Sequence, residues 1–479
     1  MTRSKEINRI NWVPVLLLLS LYIPVYFFVG PVRLTVYRVI LLIAFVPLLL
    51  RLISGSVKVY LFDVVIIASF FWSVLSISII HGFLESIEAN AIYFIEGVGA
   101  YLCTRTLISN RQEFLVFVKV LFFMALMMVP FALYESMTGQ PIIMDVLRKA
   151  FSVPPSIVQD KRLGLERSQV VFEHSILFGV FCSSIFGMTY YVLNRQSNIF
   201  ARGVRLFIVS LASFLSISGG AVLAIFIQCI WIGWDRVTML ARIPNRWWLL
   251  TFGFVAAYVG VDVLSNRSPF HVFVSYLTFS PGSAYNRILI WQYGTETVSA
   301  FPFFGIGMGR WLGPEWMGDS IDNFWLLLTM RYGMPGGIGF IIGIIILMTK
   351  LGGGAISDLE LSDYRKGYMV SLGGLIVAGC TVHYWNATYI LFMMILGSGV
   401  WILNEKTSSV PEKLPELEER RSRAFLRRKA ALATMSEQGL AAEDSLAANV
   451  KRRRSSSREK SIQRSRENRT GALSRTQNQ

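Results

Sequence analysis

The chain has 479 residues, and its 46 Lys and Arg against 30 Asp and Glu give a formal net charge of +16. Hydrophobic residues make up 53% of the chain and aromatic residues 13%, whereas charged residues make up only 16%. This composition excludes a soluble globular protein, because repeated runs of about 20 apolar residues can cross the hydrocarbon core of a bilayer as helices. The sequence therefore predicts an all-α polytopic membrane protein.

Apolar runs along the chain predict about 12 transmembrane helices. They cover residues 12–29, 35–53, 61–80, 90–108, 114–134, 170–193, 204–217, 219–234, 248–264, 322–349, 368–382 and 387–403. The short pair 204–217 and 219–234 could also form one bent helix, although Gly219-Gly220 favours a turn. A break is expected at 333–337, and broken helices at membrane depth are tolerated where they are buried in protein or line a cavity.

Lys and Arg in the short loops predict the orientation of these helices. The basic N-terminus favours a cytoplasmic start, and the first apolar run is expected to be a permanent anchor because it lacks a small-residue cleavage site. Two larger loops, 135–169 and 265–321, are then extracytoplasmic, and both termini are cytoplasmic. Five basic loops fall on the cytoplasmic side, around Arg51/Lys58, Arg105/Arg111, Arg195/Arg202/Arg205, Arg236/Arg242/Arg246 and Lys350/Arg365/Lys366.

The composition changes near residue 404, which separates a predicted membrane domain (1–403) from a tail (404–479). The tail carries 18 Lys and Arg against 10 Asp and Glu, or +8, and we expect it to be a disordered cytoplasmic segment. Two interpretations fit such a tail. Its basic residues are attracted to anionic lipid headgroups, or the tail is simply solvated in the cytoplasm. Nucleic-acid binding is not expected, because no aromatic residues interleave the basic ones.

Cofactor and metal signals are absent from the sequence. The four cysteines do not have metal-site spacing, the four histidines are scattered, and no phosphate-binding or dinucleotide-binding glycine motif is present. We therefore expect no metal and no cofactor, and ATP-driven transport is not supported.

Both predicted extracytoplasmic loops break the positive-inside pattern. Loop tolerance explains any single charge, because the orientation rule weakens in longer loops. Jointly, the charges would place arginines where a diphosphate-linked substrate could dock, and the planar guanidinium group binds phosphate oxygens in pairs. The loop residues concerned are Arg148, Lys149, Lys161, Arg162, Arg167, Arg267, Arg287 and Arg310.

Four stretches stand in a definite order relative to the predicted helices. They read R-L-G-L-E-R-S-Q-V-V-F-E-H-S-I-L-F-G at 162–179, S-I-S-G-G-A at 216–221, N-R-I-L-I-W at 286–291 with F-P-F-F-G-I-G-M-G at 301–309, and D-N-F-W-L-L-L-T-M-R-Y-G-M-P-G-G at 322–337. In order and spacing they resemble the O-antigen polymerase and O-antigen ligase family of bacterial membrane glycosyltransferases, over about residues 60–403.

Two departures bear on what this resemblance implies. Many family members have Ser-Arg-Gly where this chain has Ser218-Gly219-Gly220, and the ligases have His-Asn where it has Asp322-Asn323. The missing His favours a polymerase of undecaprenyl-diphosphate-linked repeat units, in exopolysaccharide or O-antigen biosynthesis at the outer face of the bacterial inner membrane. The alternative within the family is an O-antigen ligase that transfers glycan to lipid A-core.

The resemblance also implies the reaction and the partners. The reaction would be a metal-independent inverting glycosyl transfer from a lipid-diphosphate-linked donor. Expected partners are the undecaprenyl-diphosphate-linked glycan donor and acceptor and the membrane lipids, with a chain-length regulator and a flippase of the same pathway as further candidates. An alternative from another class is a lipid-linked glycan transporter or flippase, since basic cavities and broken helices suit that function too.

Glycosyl transfer needs a base for the acceptor hydroxyl and cations for the charge that develops on the diphosphate. Asp322 is the candidate base, since partial desolvation at the membrane edge would raise its pKa; a helix N-cap is its structural alternative. Arg287 is the candidate diphosphate clamp, and its structural alternative is an ion pair with Glu296 or Glu315.

Six further residues are candidates for substrate binding. Arg331 lies inside an apolar run, where a charge usually faces a cavity or a partner. A histidine that enters a span, as His174 does, is more often structural. The candidate set is Arg162, Arg167, His174, Arg331, Trp291 and Asn323, with Trp291 sharing a face with Arg287 if that segment is helical.

Other polar or flexible residues are given structural roles. Gly305, Gly307 and Gly309 favour tight turns over a phosphate loop, and Glu96 is expected to pair with Arg105.

Overall fold

The structure is a computed structural model. It describes residues 10–408 apart from Pro31, Val158, 244–245, 267–271, 273–280, Asp319 and Ala355, together with Lys451. The chain divides into two units, Met1–Thr407 and Ser408–Gln479. The predicted disorder of 404–479 falls almost wholly outside the described residues and stays a prediction.

Among the described residues, the regular secondary structure is helical apart from one antiparallel hairpin, Tyr26–Val29 with Val32–Thr35, and an isolated bridge between Arg162 and Leu165. Seven described helices are long and apolar enough to cross a membrane, which indicates a multi-pass membrane protein. They are Val36–Ile53, Leu61–His81, Arg111–Thr138, Ser175–Leu193, Gly219–Leu240, Phe324–Gly352 and Asn386–Glu405. The shorter or more polar helices are Val13–Ser20, Phe83–Phe94, Ile95–Gly99 (a π-helical turn), Ala100–Leu107, Ile142–Arg148, Ile199–Phe214, Arg246–Leu264, Pro281–Ala300 and Leu359–Ala378.

Local sequence explains why two of the 12 predicted spans, 12–29 and 90–108, are not among the long apolar helices described. The first helix ends at Ser20, because Pro24 disfavours helical backbone before it and the chain turns into the hairpin. The predicted span 90–108 is a helix that begins earlier, at Phe83, and is interrupted by the π-helical turn. It also carries Glu96 and Arg105, so it is less apolar than the others.

The pair of segments around Gly219 forms two helices, so the alternative of one bent helix is wrong. Ile199–Phe214 and Gly219–Leu240 are separated by a turn in which Ile217 has a φ of 45°. Gly220 allows the second helix to begin against residues 381–382, since a Cβ atom there would lie 2.3 Å from Val382 Cγ2. This turn therefore meets the segment that follows helix Leu359–Ala378.

The predicted break in the helix Phe324–Gly352 is confirmed at Gly333, whose φ of 73° and ψ of 174° are not helical. The segment 302–309 fills the break. Its backbone N–H groups at Ile306 and Gly307 donate to the carbonyl oxygens of Met330 (2.8 Å) and Arg331 (2.9 Å). Gly305 has a φ of 67°, and a Cβ atom there would lie 2.3 Å from Met330 O. These glycines therefore make a tight turn against the broken helix.

Contacts between charged and aromatic side chains join the loops predicted on the cytoplasmic side. Lys58 and Lys350 both lie over the ring of Tyr60, at 5.3 and 5.0 Å. The ion pairs at this end are Arg111–Asp358 (2.5 Å), Arg111–Glu405 (2.6 Å), Arg195–Glu360 (3.2 Å) and Lys366–Asp235 (3.1 Å). The basic loops thus lie at one end of the bundle, as the charge pattern predicts.

Glu96 and Arg105 each form an ion pair within the bundle, but they do not pair with each other as the sequence predicts. Arg105 donates to both carboxylate oxygens of Asp63, at 2.8 and 2.9 Å, and the two side chains are 1% and 0% exposed. Glu96 instead pairs with Arg38 at 2.5 Å. Buried charges need such partners because each one left alone would cost several kcal/mol or more.

Candidate functional site

Two of the four sequence stretches, 162–179 and 216–221, meet at the end of the bundle opposite the basic loops described above. Arg162 and Leu165 exchange backbone hydrogen bonds at 3.1 and 3.0 Å and close a turn. The Arg162 guanidinium donates to Ile217 O at 3.3 Å, and Arg167 Nε donates to Ser216 O at 3.5 Å. The carbonyl oxygens of the 215–217 turn thus fix the direction of both arginines.

Arg287 lies on the helix Pro281–Ala300, which forms inside the predicted loop 265–321. The Arg287 residue is only 8% exposed. Its Nε donates to Thr381 O at 3.3 Å and its Nη1 to Ser283 Oγ at 3.2 Å. Within the described residues no ion pair joins it to Glu296 or Glu315, so that alternative is wrong. Trp291, one turn later, is 40% exposed and lies nearer the surface.

Asp322 comes two residues before the helix Phe324–Gly352, but it is not the cap of that helix. The N-cap is Asn323, whose Oδ1 accepts from the Leu326 backbone N–H at 3.1 Å. The N-cap alternative for Asp322 is therefore wrong. Asn323, which is only 4% exposed, caps the helix instead.

Mutual electrostatic effects place Asp322 and the three arginines in one cluster. Burial raises the pKa of the Asp322 carboxyl, and the charge of Arg287, a hydrogen bond from Ser320 and the charge of Arg167 oppose the rise. Burial lowers the pKa of Arg287, against the opposing charge of Asp322 and with a further decrease from Arg162. Burial, followed by Arg162, lowers the pKa of Arg167 to about 10. The cluster thus holds Arg162, Arg167, Arg287 and Asp322.

His174 borders this cluster and also caps a helix. Its Nδ1 accepts from the Ile176 backbone N–H at 3.1 Å, at the start of the helix Ser175–Ser183. Burial, followed by the charges of Arg167 and Arg162, lowers the pKa of His174 to about 4. The ring is therefore neutral near pH 7, and because Nδ1 is the acceptor, Nε2 carries the proton and can donate.

A second group of side chains continues from His174 to Arg331. The Trp385 ring lies 6.2 Å from the His174 ring and 5.3 Å from the His383 ring, measured between centroids. Burial, followed by the positive charge of Arg331, lowers the pKa of His383 to about 3. Trp385 Nε1 donates to a carboxylate oxygen of Glu173 at 3.0 Å, which fixes the indole ring. Neutral imidazole and indole groups can bind hydroxyl groups and sugar faces.

Sequence reasoning missed His383 and Thr381 as members of this region. The available signal was the run T-V-H-Y-W-N at 381–386, which places polar and aromatic residues at the edge between two predicted spans. No sequence periodicity relates this run to Arg287, because the contact joins residues 94 positions apart.

The cluster has more positive than negative charge. Arg167 Nη2 is buried and has no hydrogen-bond partner in the part of the chain that the structure describes. Within that part, no group of three or more His, Cys, Asp or Glu residues is arranged to hold a metal ion. The arrangement can bind an anion through guanidinium groups and present one carboxylate beside it. No protein-family model and no curated protein sequence matches this chain.

Proposed function

We propose that this protein polymerises undecaprenyl-diphosphate-linked oligosaccharide repeat units in exopolysaccharide or O-antigen biosynthesis, at the outer face of the bacterial inner membrane. The observation that carries the proposal is the cluster of buried Arg287 with half-buried Arg162, Arg167 and Asp322, at the end opposite the basic loops. A diphosphate on a lipid carrier would reach this end from the membrane edge. The resemblance of the four sequence stretches to the O-antigen polymerase and ligase family supports the same reaction.

The proposed chemistry is an inverting glycosyl transfer. An acceptor hydroxyl oxygen attacks the anomeric carbon of the donor, the bond from that carbon to the diphosphate oxygen breaks, and undecaprenyl diphosphate leaves. Asp322 takes the hydroxyl proton, and its raised pKa makes it a stronger base than an ordinary aspartate. The arginines bind the charge that develops on the leaving diphosphate, in a site where burial strengthens each contact.

The remaining candidate residues would hold the two substrates. Arg287 would clamp the diphosphate, because it is buried and its guanidinium is already oriented by Thr381 and Ser283. The Nε2–H group of His174 would donate to a phosphate or sugar oxygen without adding charge. Arg162 and Arg167 would bind the second lipid-linked substrate or the donor phosphate, and Arg331 would contact a substrate on the other side of His174.

The proposed setting is a protein with about 12 membrane crossings and both termini in the cytoplasm. The shorter helices would complete the crossings beside the seven long apolar ones. Membrane lipids would surround the bundle, and the basic tail would face anionic headgroups. A flippase would deliver the lipid-linked repeat units, and a chain-length regulator would limit the polymer.

The test is the length of surface and lipid-linked polysaccharide on a gel, from a strain that lacks this gene. A polymerase predicts single repeat units in the deletion strain and long chains after complementation with the wild-type gene. Long chains that stay on the lipid carrier would indicate a ligase, and repeat units retained on the cytoplasmic face would indicate a flippase. Either of those outcomes contradicts the proposal. Arg148→Ala, which removes an exposed arginine paired with Asp145, is the control.

A further inference from the structure

The segment that fills the helix break is also attached to the end of the helix Leu61–His81. The backbone N–H of Met308 donates to His81 Nε2 at 2.8 Å. A ring nitrogen accepts a hydrogen bond only when it carries no proton, so this contact requires neutral His81 with its proton on Nδ1. Gly307 permits the approach, because a Cβ atom there would lie 2.4 Å from the same Nε2 atom.

The same helix holds the segment at two further points. The Trp72 indole N–H lies 3.2 Å from the carbonyl oxygens of both Phe303 and Tyr332, so it bridges the segment and the broken helix. The Ser76 hydroxyl donates to Phe304 O. Neither Trp72 nor Ser76 changes charge with pH, and His81 is the titratable member of this attachment.

The attachment matters because the segment completes the backbone around Arg331. Ile306 and Gly307 donate to the carbonyl oxygens of Met330 and Arg331, which the break leaves without helical partners. The Arg331 side chain in turn acts on His383 in the candidate site. The segment therefore supports the backbone at Arg331.

We propose that His81 is a pH-sensitive positioning residue whose neutral ring holds segment 302–309 in the helix break and whose protonation releases it. A protonated ring would present a donor to the Met308 N–H donor, and the two would repel. Release would remove the partners of the Met330 and Arg331 carbonyls and displace Arg331 from the candidate site. Only the effect on activity rests on the proposed function, whereas the release itself rests on the contacts above.

Histidine is the side-chain type whose ordinary charge change falls between about pH 5 and about pH 8, which sets the pH range of the test below. Among the described residues, none of the charged groups around His81 forms an ion pair with it. The groups carried by the elements packed around it are Glu85 and Glu88 on the next helix, Arg310 and Glu315 beyond the segment, and Arg331 on the broken helix.

Wild-type protein, His81→Gln and His81→Asn, each full-length in detergent micelles, separate a pH-dependent attachment from simple packing of the His81 side chain. In His81→Gln the amide oxygen replaces Nε2 and accepts at every pH, whereas the shorter side chain of His81→Asn does not reach Met308. Trypsin cleavage after the exposed Arg310 reports release of the segment and is quantified by mass spectrometry. As the pH falls from about 8 to about 5, the ratio of wild-type cleavage to His81→Gln cleavage should rise at least about fivefold. This factor corresponds to the loss of one hydrogen bond. His81→Asn should be cleaved faster than His81→Gln throughout.

A constant ratio of wild type to His81→Gln across this pH range overturns the proposal. So does equal cleavage of His81→Asn and His81→Gln. Polymer length at the same pH values supplies the second readout. If release follows pH while deletion of the gene leaves the polymer unchanged, the proposed function fails and the role of His81 stands.

Discussion

Asp322 and Arg287 interact through their charges without forming a direct ion pair in the described part of the structure. Burial raises the pKa of Asp322, and Arg287 is the largest influence that opposes the rise. The Arg287 guanidinium is held instead by Thr381 O and Ser283 Oγ. Each group therefore remains available for a substrate. In the proposed reaction Asp322 accepts the hydroxyl proton and Arg287 binds the diphosphate.

Replacing Arg287 should remove most of the transfer activity. Arg287→Ala should lower the transfer rate by about 100-fold, the cost of losing one fixed donor to a developing charge. Arg287→Lys should recover part of this, since it restores the charge but not the paired donors. The measurement is transfer by purified protein on lipid-linked repeat units. Arg148→Ala should transfer at the wild-type rate, and equal rates for Arg287→Ala and Arg148→Ala would remove Arg287 from the site.

Replacing Asp322 should separate activity from stability. A carboxyl with a raised folded pKa stabilises the fold most below its unfolded pKa, and this contribution is lost as pH rises through the folded pKa. Asp322→Asn has no such loss, so above the raised pKa it should unfold at a higher temperature than the wild type while transferring no sugar. Thermal unfolding and transfer are measured across pH. In the wild type, transfer should fall as acid protonates the base, and an active Asp322→Asn protein would exclude this role.

The two functions of the His174 ring can be separated by two variants. His174→Asn keeps an acceptor near Nδ1 for the Ile176 N–H but lacks the Nε2 donor, whereas His174→Ala lacks both. The alanine variant should lose about 1 kcal/mol of stability from the missing cap, and the asparagine variant should keep most of it. Transfer should fall in both. Wild-type transfer by His174→Asn would show that the ring is only a cap.

The buried pair Asp63–Arg105 should contribute to stability and not to transfer. Asp63→Asn leaves the Arg105 charge without its partner, and we expect a loss of about 3 kcal/mol or more in unfolding free energy. Asp145→Asn, which breaks an exposed pair, should cost about 1 kcal/mol or less. Denaturant unfolding in micelles gives both values. Similar losses in the two variants would contradict the placement of the pair in the bundle interior.

A side chain at Gly305 should disturb the broken helix. Gly305→Ala combines a φ of 67° with a Cβ atom 2.3 Å from Met330 O, whereas Gly55→Ala has a φ of 73° and nothing within 4 Å. Both should lose about 1 kcal/mol from backbone strain, and Gly305→Ala should lose more because of the clash. Comparing their unfolding temperatures isolates the clash, and equal values would place segment 302–309 outside the break.

Sequence periodicity predicted the long helices well because each depends on a local run of apolar residues. The break at Gly333 was also predicted, since glycine and proline act through the backbone where they stand. Pro24 is a local signal of the same kind, but the apolar run 12–29 masked it, and the hairpin there was missed. Helix Pro281–Ala300 was missed for another reason, because its polar residues give no apolar stripe.

The candidate site was predicted only in part. Charge placement indicated Arg162, Arg167 and Arg287, since arginines outside the cytoplasmic loops stand out against the orientation rule. Their meeting depends on contacts between distant segments, such as Arg287 with Thr381, which one sequence does not encode locally. The same limit explains the wrong pairing of Glu96 with Arg105, because sequence proximity suggested a partner and the fold supplied Arg38 and Asp63 instead.

The most direct test of the proposed polymerase activity is transfer by purified protein in liposomes that contain undecaprenyl-diphosphate-linked repeat units. The measured products are free undecaprenyl diphosphate and lipid-linked glycan of two or more units. Wild-type protein should form both without added metal, with one undecaprenyl diphosphate released for each linkage made, whereas Asp322→Asn and Arg287→Ala should form neither while remaining folded. Unchanged repeat units with wild-type protein, or normal chain growth with both variants, would contradict the proposal.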